Sequence, residues 1–155
     1  MANVAGMTRS AKAEFLTGIH ALGPGTGVPA RSAGAADVIK AALFLASASR
    51  GVADTVYNTT GELAGTGGYT QGGVTVTMGT APAVSSTEGC FTPSANFQWA
   101  AFTSSGAFDC VVLYNSSQGD KEISVHTFGS QSVVAGTFTL TMPSSVAGSA
   151  LVRIA

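Results

Sequence analysis

Residues 94–142 read SANFQWAAFTSSGAFDCVVLYNSSQGDKEISVHTFGSQSVVAGTFTLTM, and the division of this stretch decides the fold. Four short runs rich in Val, Thr, Phe and Tyr, at 96–102, 108–115, 122–128 and 135–142, are separated by Gly, Ser, Asn and Asp. β-Branched and aromatic residues suit a pleated, half-buried surface, and the small polar residues between them suit turns. The stretch therefore predicts four consecutive β-strands in an antiparallel meander. In the first, Phe97, Trp99 and Ala101 alternate with Asn96, Gln98 and Ala100, which makes it amphipathic. In the second, Phe108, Cys110, Val112 and Tyr114 face one way and Val111 and Leu113 the other, so it belongs at the centre of a sheet. Ile123, Val125 and Phe128 supply the apolar side of the third. Phe138, Leu140 and Met142 alternate with Thr in the fourth until Pro143 stops it.

Outward from this block, Val74, Val76 and Met78 alternate with Thr75 and Thr77 and predict a further strand. Residues 80–93, punctuated by Pro82, Gly89 and Pro93, read as a link between sheets or a short edge strand at 83–86. Residues 37–49 suit a helix by propensity, with Asp37 as cap, and a strand by alternation. The strand is favoured, with Ile39, Leu43 and Leu45 toward the core. Residues 150–155 read as a terminal strand whose loss would destabilise the fold. Residues 58–73 carry many glycines but no following Gly-Lys-Ser/Thr, so they read as a turn-rich surface loop rather than a phosphate cradle.

Before residue 37 the pattern changes. A short helix is predicted over 8–22, with Ser10 as N-cap, Phe15, Leu16 and Ile19 on one face, and Lys12 and Glu14 on the polar side. Gly23-Pro-Gly-Thr-Gly-Val-Pro29 cannot continue it, and with the small residues up to Ala36 it reads either as an extended arm over a neighbouring subunit or as a frayed terminus. Residues 1–36 thus form a helix and Gly/Pro-rich arm with little to anchor a core, and residues 37–155 a single β-domain. Seven or eight strands without βαβ alternation imply a mainly β fold, an antiparallel β-sandwich or jelly-roll-like barrel.

The chain has 155 residues, 45% of them apolar and only 10% charged, with net charge −1. The charged share is well under the roughly 25% of ordinary soluble domains. Such a surface is either neutral Ser, Thr, Gly and Asn or covered by other subunits. Nothing resembles the basic stripe that a phosphate backbone requires, so nucleic acid is not an expected partner. Residues 1–10 lack the apolar core of a signal peptide, and the longest apolar run, 41–46, is far short of the ~20 residues that span a bilayer. No membrane partner is expected, and synthesis in the cytoplasm is.

The search for chemistry assigns no catalytic, cofactor-binding or metal-binding residue, and the chain is read as not an enzyme. His20, His126, Cys90 and Cys110 lack zinc-ligand spacing, and the two cysteines read as buried thiols rather than a disulfide. His126 reads as exposed or at an interface. No Gly-x-Ser-x-Gly elbow is present; Asp54 and Asp109 are weak candidates to pair with a histidine, and Glu62 and Glu88 read as exposed loop carboxylates. Asn58-Thr-Thr and Asn115-Ser-Ser match the glycosylation triplet, which matters only in a secreted eukaryotic protein. Trp99, Tyr57 and Tyr69 are candidates for stacking on sugars, with Trp99 more at home in the core.

Taken together, Asp37-Val-Ile-Lys-Ala-Ala-Leu-Phe, Tyr57-Asn-Thr-Thr-Gly-Glu-Leu, the Gly-Gly-Tyr-Thr-Gln-Gly-Gly-Val-Thr-Val loop, Phe108-Asp-Cys-Val-Val-Leu-Tyr-Asn and the ending Gly136-Thr-Phe-Thr-Leu-Thr-Met-Pro with Val152-Arg-Ile resemble a group of small tailed-bacteriophage virion proteins. The resemblance covers residues 36–155, and its motifs are scaffold features. The arm before Ala36 departs from the pattern. What the resemblance implies is a virion structural protein, foremost a capsid cement or decoration protein on the outer surface of the major capsid protein shell, self-paired as a homodimer. The alternatives are a tail, neck or fibre adaptor, and a carbohydrate-binding β-sandwich module.

Overall fold

In a computed structural model the chain is mainly β, in three antiparallel sheets with one short helix, an arrangement consistent with a β-sandwich. The structure describes residues 2–23, 37–65 and 67–155. The proposed arm, apart from Gly23, lies outside them. The strands are β1 (Gly6–Met7), β2 (Ile39–Leu45), β3 (Val74–Thr75), β4 (Ala83–Ser85), β5 (Glu88–Phe91), β6 (Phe97–Phe102), β7 (Phe108–Asn115), β8 (Lys121–Gln131), β9 (Gly136–Leu140) and β10 (Val152–Ile154), and the helix is α1 (Arg9–Leu16). The five-stranded sheet runs β1-β8-β7-β2-β3, the three-stranded sheet β10-β5-β4, and β6 pairs with β9 alone.

The predicted meander is therefore corrected in its pairing. All four runs are strands, but only β7 and β8 are hydrogen-bonded neighbours; β6 skips them to pair with β9, Phe97 opposite Leu140 and Trp99 opposite Phe138. β7 is central, as its two apolar faces require: Val111 and Leu113 face the main core with Ile39, Leu43, Phe97, Trp99 and Phe102. Cys110, Val112 and Tyr114 enter a second cluster with Ala42, Phe44 and Val125. The stretch 37–49 does hold a strand, the shorter Ile39–Leu45, and Ala42 and Phe44 on its other face are as buried as Ile39 and Leu43.

Bulges account for the faces misread from alternation. The β6–β9 register slips between Trp99 and Phe102, where Ala101 has φ 51°, so Ala101 points out and Phe102 takes its place in the core. Between Leu113 and Tyr114 the β7–β8 register also slips, which separates Ile123 from Val125 into different clusters. A further shift between Phe108 and Cys110 turns Phe108 to the main core. Residues 83–91, read as a link with at most one edge strand, form the hairpin β4–β5, with a two-residue turn at Ser86-Thr87 and Ser86 at φ 56°. β10 closes the same sheet against β5, as expected of the terminal run.

The helix is shorter than predicted and capped differently. Thr8, not Ser10, is the N-cap: its Oγ1 accepts from the Ala11 N–H at 3.2 Å. A Schellman motif ends it, with Ile19 N–H donating to Glu14 O, Gly18 N–H to Phe15 O, and Gly18 at φ 71°. Ala11 and Glu14 are its buried residues, while Leu16 is 89% exposed. The described part of residues 1–36 also anchors more than expected, since Leu22 belongs to the main core and Met7 and Phe15 pack against it. No helix among the described residues is long and apolar enough to cross a membrane.

Candidate functional site

The low charge count conceals an unusual distribution: Glu14, Asp37, Arg50, Glu62 and Glu122 are all buried, five of the fourteen charged residues that the structure describes. A buried charge is tolerated only when paired or well hydrogen-bonded, so each of these must have a partner that local sequence does not announce.

One cluster docks the N-terminal segment on the five-stranded sheet. Glu14 accepts from Lys121 Nζ at 2.6 Å through Oε1, and its Oε2 lies 2.9 Å from His20 Nε2. His20 Nδ1 lies 3.1 Å from Asn115 Nδ2. An amide nitrogen only donates, so Nδ1 is the acceptor and the imidazole is neutral, with its proton on Nε2 toward Glu14. Burial pushes the His20 pKa down against the opposing pull of Glu14. Burial also raises the Glu14 carboxyl, but the hydrogen bonds from Lys121 and His20 outweigh it and hold the group below its ordinary value. Asn115 donates in turn to Asp37 Oδ2 at 2.7 Å, which also accepts the Ala21 N–H at 2.7 Å. Asn115 is fully buried in this network, which removes the second glycosylation triplet from the surface.

A second cluster ties the Gly-rich loop to the core. Glu62, read as an exposed loop carboxylate, is 5% exposed and takes three donors: Tyr57 Oη–H, Tyr69 Oη–H at 2.8 Å and Gly72 N–H at 2.7 Å. Tyr69 Oη accepts in its turn from the Leu43 N–H, and Tyr114 Oη–H donates to Gly72 O. Burial, reinforced by the Glu62 carboxylate, raises the Tyr57 and Tyr69 phenols far above their ordinary value, and burial raises Tyr114 to about 12. The rings stay protonated donors. The third cluster joins Arg50 to Glu122 Oε2, with the guanidinium 4.8 Å from the Phe44 ring centre and its Nε 3.6 Å from Asp54. Arg50 Nε and Glu122 Oε1 make no hydrogen bond. Burial, opposed by Arg50, raises the Glu122 carboxyl to about 7.

A cleft of about 510 Å³ lies between the β1–β8 side of the five-stranded sheet and β10, lined by Ser124, His126, Glu88 and Arg153 among others. Ser124 Oγ lies 2.9 Å from His126 Nε2. Burial pushes His126 down to about 4, so its ring is neutral at neutral pH. His126 is half-buried in the cleft, neither fully exposed nor enclosed. A serine–histidine contact becomes an activated nucleophile only with an orienting group on the far ring nitrogen, and among the described residues none is hydrogen-bonded there. Glu88 instead meets Arg153 at 3.6 Å and accepts the Gly148 N–H.

The other candidates are scattered. Asp54 accepts the Gly51 N–H and Asp109 accepts from Asn3 Nδ2; in neither bond is a histidine the partner. Cys90 on β5 and Cys110 on β7 are buried free thiols in different sheets, as read from the sequence. No group of three potential metal ligands occurs among the described residues. Trp99 is a core residue stacked on Phe138 at 6.0 Å, Tyr69 is buried, and one face of Tyr57 is covered by Tyr114 at 4.0 Å, so these rings form no common exposed platform. Arg50 and Ser124 carry no local signal, and Asn115 reads in the sequence only as the head of a glycosylation triplet; their roles in these clusters emerge from tertiary pairing. No protein-family model, no curated protein and no solved structure matches this chain.

Proposed function

We propose that the protein is a virion structural component, a capsid cement or decoration protein that binds the outside of a major capsid protein shell and stabilises it. The observation that carries this reading is the inward disposition of charge. Five of the fourteen described charged side chains are consumed inside the fold, which leaves few charges for a surface rich in neutral polar and small apolar residues. A neutral surface suits broad, modest contacts repeated at many equivalent sites, where each bound copy bridges shell subunits and stabilises the assembled state by mass action. The resemblance of residues 36–155 to small phage virion proteins supports the same reading. A β-body whose buried charges are paired inside the fold suits a scaffold role.

Quantitative protein analysis of purified particles tests it: hundreds of copies support cement, and about a dozen or fewer indicate the runner-up, a tail, neck or fibre adaptor. Particles assembled without the protein should lose resistance to heat and osmotic shock. Equal resistance with and without it would sink the reading.

A further inference from the structure

Among the described residues eight large apolar side chains are exposed, and the two that lie in strands, Val84 at 81% and Ile154 at 49%, belong to the same sheet. They also share one row of it: Val84 is opposite Gly89, and Gly89 is opposite Ile154. Directly paired residues project to the same face, and Gly89 adds no side chain between them. Glu88 and Arg153, one residue along their strands, project from the other face.

β4 is the edge of this sheet, and its hydrogen-bonding direction follows from its turn. Ser85 and Glu88 flank the two-residue turn and form the hydrogen-bonded pair that closes it. Antiparallel ladders alternate, so Val84–Gly89 is a pair without mutual hydrogen bonds, and the Val84 N–H and C=O point outward from the edge. No hydrogen bond among the described residues uses either group. Natural edges are commonly blunted by charge, yet residues 80–87 contain none.

We propose that two copies of this chain pair antiparallel through β4, with Val84 of each copy opposite Val84 of the other. A strand is self-complementary under a two-fold axis, so Ala83 faces Ser85 of the second copy on both sides, the two Val84 residues exchange both outward hydrogen bonds, and the row Ile154–Gly89–Val84 continues into its symmetry mate. No like charges are brought face to face, whereas a second chain with a charged edge would gain nothing here. Pro82 lacks an N–H and confines the pairing to three residues, so the dimer is expected at micromolar rather than nanomolar strength. The inference deepens the proposed shell-binding function by giving a geometry to the homodimer that the sequence resemblance implies. It is tested on the free protein, so its failure leaves shell binding standing, while copy number and particle resistance decide the latter.

Sedimentation velocity on the full chain from micromolar to millimolar concentration should show the 15.4 kDa monomer passing to a species of twice that mass. Val84→Lys should remain monomeric throughout with an unchanged circular dichroism spectrum. A wild type that stays monomeric, a dimer that survives Val84→Lys, or growth beyond the dimer would each overturn the proposal. If Val84→Lys fails to fold, amide exchange in the wild type decides: protection of the Val84 N–H that rises with concentration supports the pairing, and fast exchange at every concentration refutes it.

Discussion

At the scale of single residues, Glu62 shows how a carboxylate in a glycine-rich tract becomes structural. It satisfies two phenols and one backbone N–H, and the Tyr69 phenol passes the connection on to the Leu43 amide of β2. Glu62→Ala strands those donors in a buried site and should lower unfolding free energy by about 2–4 kcal/mol, with Glu62→Gln milder, as read by urea denaturation. Glu122 gives a different signature. Its folded pKa of about 7 lies above the ordinary value of 4.5, because burial disfavours the anion by more than Arg50 favours it. Its contribution is therefore complete below pH ~4.5 and lost as pH rises toward ~7. His126, depressed to about 4 from 6.5, works the opposite way: its contribution is present above pH ~6.5 and lost on acidification, and His20 shifts in the same direction. The opposing terms flatten the stability of the wild type between these limits. Glu122→Gln removes one of them, so its urea midpoint should fall between pH 7 and pH 5 more steeply than that of the wild type; parallel profiles would refute the assignment.

At the scale of elements, the glycines show what the loop 58–73 is for. Gly73 has φ +68°, and a Cβ there would sit 1.8 Å from the Ala41 carbonyl oxygen of β2. Gly73→Ala meets both a left-handed backbone and a backbone clash, so a loss of about 2 kcal/mol or more is expected in thermal or urea unfolding. Deleting residues 150–155 removes buried Ala150 and Val152 and strips β5 of one neighbour, which should cost about 3 kcal/mol or more. The existence of most strands was legible because alternation is local: β7 occupies residues 108–115 as read, and Val74, Val76 and Met78 do face the core. Pairing was not legible, because a period of two says which face a residue uses and nothing about its partner strand. Sequence order alone therefore puts β6 beside β7, whereas it pairs with β9. Bulges defeat alternation by inserting one residue, which moved Ala101 outward and parted Ile123 from Val125. Two of the polar clusters are illegible for the same reason at longer range, since Glu14 meets Lys121, 107 residues on, and Arg50 meets Glu122, 72 residues on.

At the scale of the whole molecule, the question is whether three sheets behave as one body. The main core answers it structurally: Phe91 and Val152 from the three-stranded sheet, Phe97, Trp99 and Phe102 from β6, and Ile39, Leu43 and Val111 from the five-stranded sheet share a single buried cluster. Opening any one sheet exposes the apolar face of the others, so local unfolding of one layer should cost nearly as much as global unfolding. The two thiols are placed to measure this. Cys90 lies on β5 and Cys110 on β7, both are buried, and burial pushes the Cys110 thiol up to about 12. The thiolate is the reactive form, so neither cysteine should be modified by an aromatic disulfide reagent until its surroundings open. In dilute urea, below the unfolding transition, the two should react with the same free energy of opening and the same dependence on urea. A Cys90 that reacts much faster, with a shallow urea dependence, would show that β4, β5 and β10 open as a separate unit, and the rigid body expected of a shell-bound protein would then be confined to the five-stranded sheet and the β6–β9 pair.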